Sequence, residues 1–119
     1  MYSVIIVNGG YYPNVVSVDI YSDKNAASDA MKKAVLEYLN SNGVAISEYS
    51  AENLSELRKN EVLFKALRGI STCFYEVDYI GFEDISDTEV TLMCESSGEF
   101  GEGEHCLLRR WEVVETTFH

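Results

Sequence analysis

Residues Cys94 to Trp111 read CESSGEFGEGEHCLLRRW, with Cys94, His105, Cys106 and four glutamates within one short run. Cysteine, histidine and carboxylate side chains are the usual ligands of zinc, and Cys73 offers a possible fourth ligand. The spacing argues against such a site. A structural zinc site usually contains short pairs such as CxxC, because two ligands on one turn are preorganised toward one ion, and this chain has no such pair. His105 and Cys106 are adjacent, so on a strand they point to opposite faces. Asp84, Asp87 and Glu89 lack the central glycine of a calcium loop. No cofactor is therefore expected.

Gly98, Gly101 and Gly103 match a phosphate cradle only in number. Glu99, Glu102 and Glu104 would repel a phosphate, so the glycines are better read as turn residues. Nucleophilic catalysis would need a cysteine or serine beside a base. No GxSxG or cysteine-protease signature surrounds any candidate, and the chain contains two histidines, His105 and His119. With twenty acidic residues, some pair of carboxylates always stands close enough to imitate an acid and base pair. The sequence therefore reads as that of a non-enzyme. The competing reading is a small enzyme or a metal or ligand binder that uses Cys94, His105 and Cys106.

Charge is the stronger signal. The net charge is −11, which disfavours direct binding to nucleic acid or to an anionic membrane. Residues 70–119 carry twelve acids against Arg109 and Arg110, so 2 − 12 = −10 of that total falls in the last fifty residues. Charge concentrated in one region calls for a cationic partner, such as a basic protein surface.

The positions of these charges depend on the elements that carry them. Tyr2 to Val7 is a β-branched run that suits a strand buried on both faces. After a turn over residues 8–14, Val16, Val18 and Ile20 alternate with Ser17, Asp19 and Tyr21, as in a hairpin with one wet face. Ser22 or Asp23 can cap a helix whose apolar residues, from Ala27 to Leu39, recur at intervals of three and four and which ends at Asn42-Gly43. Ser50 starts a second helical pattern through Leu54, Leu57, Leu63, Phe64 and Leu67, ending at Gly69.

From Ile70 the period becomes two. Cys73, Tyr75, Val77 and Tyr79 share one face and Glu76 and Asp78 the other, and Glu83 to Asp87 then turns the chain. Val90, Leu92 and Cys94 next oppose Glu89, Thr91 and Glu95. A last strand from Cys106 to Glu115 sets Leu107, Trp111 and Val113 against Arg110 and Glu112. One of the two arginines is expected to pair with Glu89, Glu95 or Glu112. The predicted fold is α+β, an antiparallel sheet of about five strands in the order ββααβββ with two helices packed on one face. At 119 residues, 46% of them hydrophobic, the chain is expected to form one domain, residues 1–119.

If the last three strands pair, Glu76, Asp78, Glu89, Glu95 and Glu112 form a carboxylate array. Glu99, Glu102 and Glu104 extend it at one end, and Glu83, Asp84 and Asp87 at the other. Same-face residues repeat about every 6.6 Å and strands lie about 4.8 Å apart, a charge density comparable to that of nucleic-acid phosphates. These eleven residues are the candidate partner-binding site.

In size, acidity and lack of a catalytic motif, the chain resembles small phage-encoded inhibitors of the anti-CRISPR and nucleic-acid-mimic class. The resemblance concerns overall character and includes no motif. It implies an inhibitor that occupies a basic surface of a nucleic-acid-processing complex in the host cytoplasm. A cytoplasmic location is also expected from three cysteines read as reduced thiols and from the absence of a basic, apolar leader. A further alternative is a homodimeric accessory module joined through Tyr11, Tyr12 or an edge strand.

Overall fold

The computed structural model describes residues 1–10, 13–59, 62–67, 79–96 and 104–116. Its elements are β1 (Tyr2–Asn8), β2 (Asn14–Tyr21), α1 (Lys24–Ser41), α2 (Ala51–Lys59), α3 (Val62–Leu67), β3 (Tyr79–Glu83), β4 (Glu89–Ser96) and β5 (Glu104–Glu115). The strands form one antiparallel sheet in the order β2-β1-β5-β4-β3. The α+β architecture expected from the sequence is therefore present, with the second helical pattern described as α2 and α3. No described helix is long and apolar enough to cross a membrane.

Local chemistry sets the bounds of α1. The Asp23 carboxylate accepts a hydrogen bond from the Asn25 backbone N–H at 3.1 Å, satisfying one of the donors left free at a helix start. At the other end Gly43 adopts φ +86°, its N–H donates to the Asn40 carbonyl at 3.1 Å, and the Val44 N–H donates to Leu39 at 2.9 Å. This is a Schellman closure, and its usual apolar contact is available because Leu39 and Val44 are both buried.

Between these caps, Ala27, Met31, Val35 and Leu39 recur every four residues and are fully buried. They meet Val4, Val90, Leu92, Cys94 and Trp111 in a single core that also contains Leu54, Leu63, Leu67, Ile80 and Phe82. α1 lies against β1, β2 and β5, while α2 and α3 lie against β3. Trp111 is the largest buried side chain. Its ring meets Tyr38 edge-on at 5.3 Å and Phe82 at 6.2 Å between centroids.

The structure corrects several expectations. β1 is not buried on both faces: Val4, on the helix side, is buried, whereas Ile5 and Val7 are only partly buried. The hairpin is inverted relative to an apolar-in arrangement. Val4 pairs with Asp19 and Ile6 with Ser17, so the polar residues of β2 share the helix side and Val18 and Ile20 lie on the open face. Glu83, expected in a turn, closes strand β3. The expected strand positions Cys73, Tyr75, Glu76, Val77 and Asp78 lie outside the described residues.

In β5 a register shift between Leu92 and Met93 places Leu107 opposite Met93, out of phase with Trp111, and Leu108 is buried instead. Close by, the Gly9 N–H donates to Leu108 at 2.9 Å and the Gly10 N–H to Leu107 at 2.8 Å. A Cβ on Gly9 would overlap the Leu107 carbonyl oxygen, so this approach of the turn after β1 to β5 requires glycine. Cys106 is disulfide-bonded. The expectation of three reduced thiols fails, and with it one support for a cytoplasmic location. Cys94 is a free, buried cysteine.

Candidate functional site

The register of the sheet sorts the candidate carboxylates. Glu89 of β4 stands opposite Glu112 of β5, and Glu112 in turn opposite Ile5 of β1. Directly opposed residues share a face, with Cβ atoms about 4.5–5.5 Å apart. Glu95 lies on the same face of β4, opposite Tyr79 on one side and His105 on the other, and Glu83 of β3 lies opposite Thr91. Glu83, Glu89, Glu95 and Glu112 therefore share the face that no described helix covers.

Thr91 and Met93 interrupt the row, so Glu89 and Glu95 are about 20 Å apart along β4 at about 3.3 Å per residue. Among the described residues the array is sparser than the alternating pattern suggested, and its densest point is the pair Glu89 and Glu112.

One cation moderates that pair. Arg110, opposite Thr91, brings its Nε to 3.5 Å from the Glu89 carboxylate, an ion pair without hydrogen-bond geometry, because the buried Nε has no hydrogen-bond partner. Both side chains are about 40% exposed, and such a pair is worth well under about 1 kcal/mol. The expected pairing of one arginine with a sheet carboxylate is thus present. Thr91 is buried between Arg110 and Glu83 and donates its hydroxyl hydrogen bond to the Glu83 carbonyl at 3.0 Å.

Arg109 turns to the helix side. Its guanidinium stacks 4.5 Å from the Tyr38 ring centroid and 5.4 Å from that of Trp111, and it donates to Asn8 Oδ1 at 2.7 Å. Burial pushes the Arg109 pKa down and that of the Tyr38 phenol up, the latter opposed by the nearby guanidinium. This arginine is spent on packing and cannot neutralise the acidic face. The sequence placed Arg110 on the side away from Trp111, and the register bears this out, with Arg109 on the helix side.

The turn carboxylates divide. Asp84 occupies a left-handed conformation at φ 52°, which aspartate tolerates, and is exposed. Asp87 is drawn toward α1. Its carboxylate meets Lys32 at 2.8 Å, and the hydrogen bond and charge of that ammonium hold the Asp87 pKa below its ordinary value. The Asp87 carbonyl also accepts from Ser28 Oγ at 2.5 Å, and Tyr49 donates to the Ser86 carbonyl at 2.8 Å. Burial, reinforced by the charge of Asp87, pushes the Tyr49 phenol up to about 12. Asp87 thus anchors the β3–β4 turn to the helical layer and is already compensated. Glu104 opens β5, its backbone registered opposite Ser96. Glu76, Asp78, Glu99 and Glu102 lie outside the described residues.

The register also places the Cys94, His105 and Cys106 cluster. Cys94 and Cys106 are opposed in register, and His105 is one position out of phase, opposite Glu95. The Cys94 thiol is buried, its Sγ lies 3.4 Å from the Cys106 carbonyl as a donor, and burial pushes its pKa up. Among the described residues no three histidine, cysteine, aspartate or glutamate side chains gather where they could hold a metal ion. No family model matches the chain, and no curated protein or solved structure matches it.

Proposed function

We propose that this protein is a non-catalytic binding protein whose acidic half-face, centred on Glu89 and Glu112 and flanked by Glu83 and Glu95, engages a basic surface of a nucleic-acid-binding protein and blocks it. The observation that carries the reading is the placement of Glu89 directly opposite Glu112 on the open sheet face, with Arg110 paired to Glu89. Like charges opposed across strands destabilise a sheet, and a basic partner would offset that cost. The face also lies in the region that holds −10 of the net charge, so the summed field would steer a cationic partner to this side. Occupying a basic groove in this way is how a nucleic-acid mimic would act.

The test must separate a site from a general effect of acidity. Two charge-matched variants serve, one with Glu83, Glu89, Glu95 and Glu112 changed to Gln, the other with Asp29, Glu48, Glu52 and Glu56 changed to their amides. Each is used as bait in nuclease-treated lysate at about 0.05 and about 0.5 M salt. The expected result is capture of basic nucleic-acid-binding proteins by wild type and by the second variant at low salt, and its loss in the first variant and at high salt. Equal capture by the two variants would refute the assignment.

A further inference from the structure

The chain holds two Asn-Gly pairs, Asn8-Gly9 and Asn42-Gly43. Such a pair carries its own chemistry. The glycine nitrogen, uncrowded by a Cβ, attacks the asparagine Cγ: a C–N bond forms, the Cγ–Nδ2 bond breaks, and the side-chain nitrogen leaves as ammonia with the proton of the glycine amide. Water then opens the five-membered imide at either carbonyl, to aspartate or to isoaspartate, in which the main chain runs through the side-chain carbon. Both pairs share this chemistry, so the fold decides which of them reacts.

At Asn8-Gly9 each reacting group is held. Arg109 donates to Asn8 Oδ1 at 2.7 Å, a charge-assisted bond from a guanidinium that is itself stacked on Tyr38 and Trp111. The Gly9 N–H donates to the Leu108 carbonyl at 2.9 Å, and the Leu107 carbonyl fills the place where a Cβ on Gly9 would stand. Asn8 also pairs on both sides, with Asn14 of β2 and Arg109 of β5. Ring closure must turn the Gly9 nitrogen away from Leu108, which parts β1 from β5.

At Asn42-Gly43 the same groups are held less firmly. Asn42 Nδ2 donates to the Tyr38 carbonyl at 2.7 Å, but so do Ser41 Oγ at 2.9 Å and the Asn42 N–H at 3.2 Å, three donors for an oxygen with two lone pairs. The Gly43 N–H donates to the Asn40 carbonyl at 3.1 Å, Gly43 is exposed, and nothing lies within 4 Å of the position a Cβ on it would take. This pair also ends a helix, and helix ends open at far lower cost than interior strands.

We propose that Asn42-Gly43 is a site of spontaneous deamidation in the folded protein, that Asn8-Gly9 is kept intact by its contacts, and that the reaction at Asn42 unlatches the end of α1. The product carboxylate has no hydrogen to donate to the Tyr38 carbonyl and stands at the negative end of the helix. Isoaspartate also lengthens the main chain by one carbon, so the bonds from Gly43 to Asn40 and from Val44 to Leu39 cannot both keep their geometry. Val44, 1% exposed and in the core with Leu39, is the residue this releases. The change is irreversible, so its extent grows with the age of the folded molecule.

Peptide mapping by mass spectrometry tests this on the folded chain kept for days in mildly alkaline buffer, beside a sample in urea above the unfolding midpoint. In urea the two pairs should react at similar rates. In the folded chain Asn42 should be slowed by less than about a hundredfold, and Asn8 by at least about tenfold more than Asn42, since its opening approaches global unfolding, with constants of about 10³ or more. Stronger protection of Asn42, or a smaller difference between the two, overturns the proposal. N42D carries the aspartate product from the start. It should speed hydrogen exchange at the Val44 amide by about tenfold, the loss of one hydrogen bond and of a favourable helix end, while the β4 amides keep their protection. Unchanged exchange at Val44 would overturn the unlatching.

Discussion

The opposition of Glu89 and Glu112 makes an unusual prediction, that removing a charged group from the surface strengthens the fold. Glu112 stands opposite Glu89 on one side and Ile5 on the other, and the same-face cation of its own strand, Arg110, is already directed at Glu89. Glu112→Gln keeps size and hydrogen-bonding capacity while deleting the like-charge term. Cross-strand charge pairs are worth about 0.2–1 kcal/mol, so E112Q should stabilise by about 0.5 kcal/mol. With a urea m-value of about 1–3 kcal/mol/M, the unfolding midpoint should rise by roughly 0.2–0.5 M. The gain should shrink at about 1 M salt, where the Debye length falls to about 3 Å. E89Q removes the same repulsion but also the partner of Arg110, so it should gain less, and E112Q should add little in the E89Q background. Capture of basic partners should weaken in E112Q although the fold is firmer. A destabilised E112Q, or a gain independent of both salt and Glu89, would refute the electrostatic reasoning.

Three further outcomes follow from the packing and the turns. Gly43→Ala meets no atom within 4 Å of the new Cβ, so its cost is the backbone term at φ +86° alone, about 1 kcal/mol in urea unfolding followed by circular dichroism. Trp111→Ala removes the central core ring and should cost about 3–5 kcal/mol, a large share of the stability of such a domain, seen as an early and less cooperative thermal transition. Because the folded Asp87 pKa is depressed by Lys32, its contribution is present above the unfolded value near 3.8 and is lost as pH falls through the lower, folded value. D87N should therefore flatten the acid limb of the stability profile measured between about pH 5 and pH 2, and an unchanged limb would count against the Lys32 pairing.

Much of the fold was legible because the signals are local. The spacing from Ala27 to Leu39, the Asp23 cap and the Asn42-Gly43 stop describe α1 without any distant contact, and the two-residue period of Val90, Leu92 and Cys94 set the buried side of β4. The site was legible in part. The same alternation placed Glu89 and Glu95 on one face, and Arg110 paired as expected, but alternation could not show that the Asp87 carboxylate turns away to Lys32. That contact depends on where α1 crosses the β3–β4 turn, fifty-five residues apart in sequence. Likewise Leu107 was misplaced because a single register shift inverts every residue beyond it.

By itself the sequence determined the element types, the core stripe of α1 and the concentration of negative charge after residue 70, since each depends on residue identity and short-range spacing. Tertiary structure decided which face of each strand meets the helices. Alternation in β2 is equally compatible with either orientation; only the pairing of Val4 with Asp19 turned the valines outward. Strand order decided the rest. By placing β2 at one edge and the acidic β3 and β4 at the other, it separated a neutral apolar edge from a charged face, a division that no stretch of the chain encodes alone.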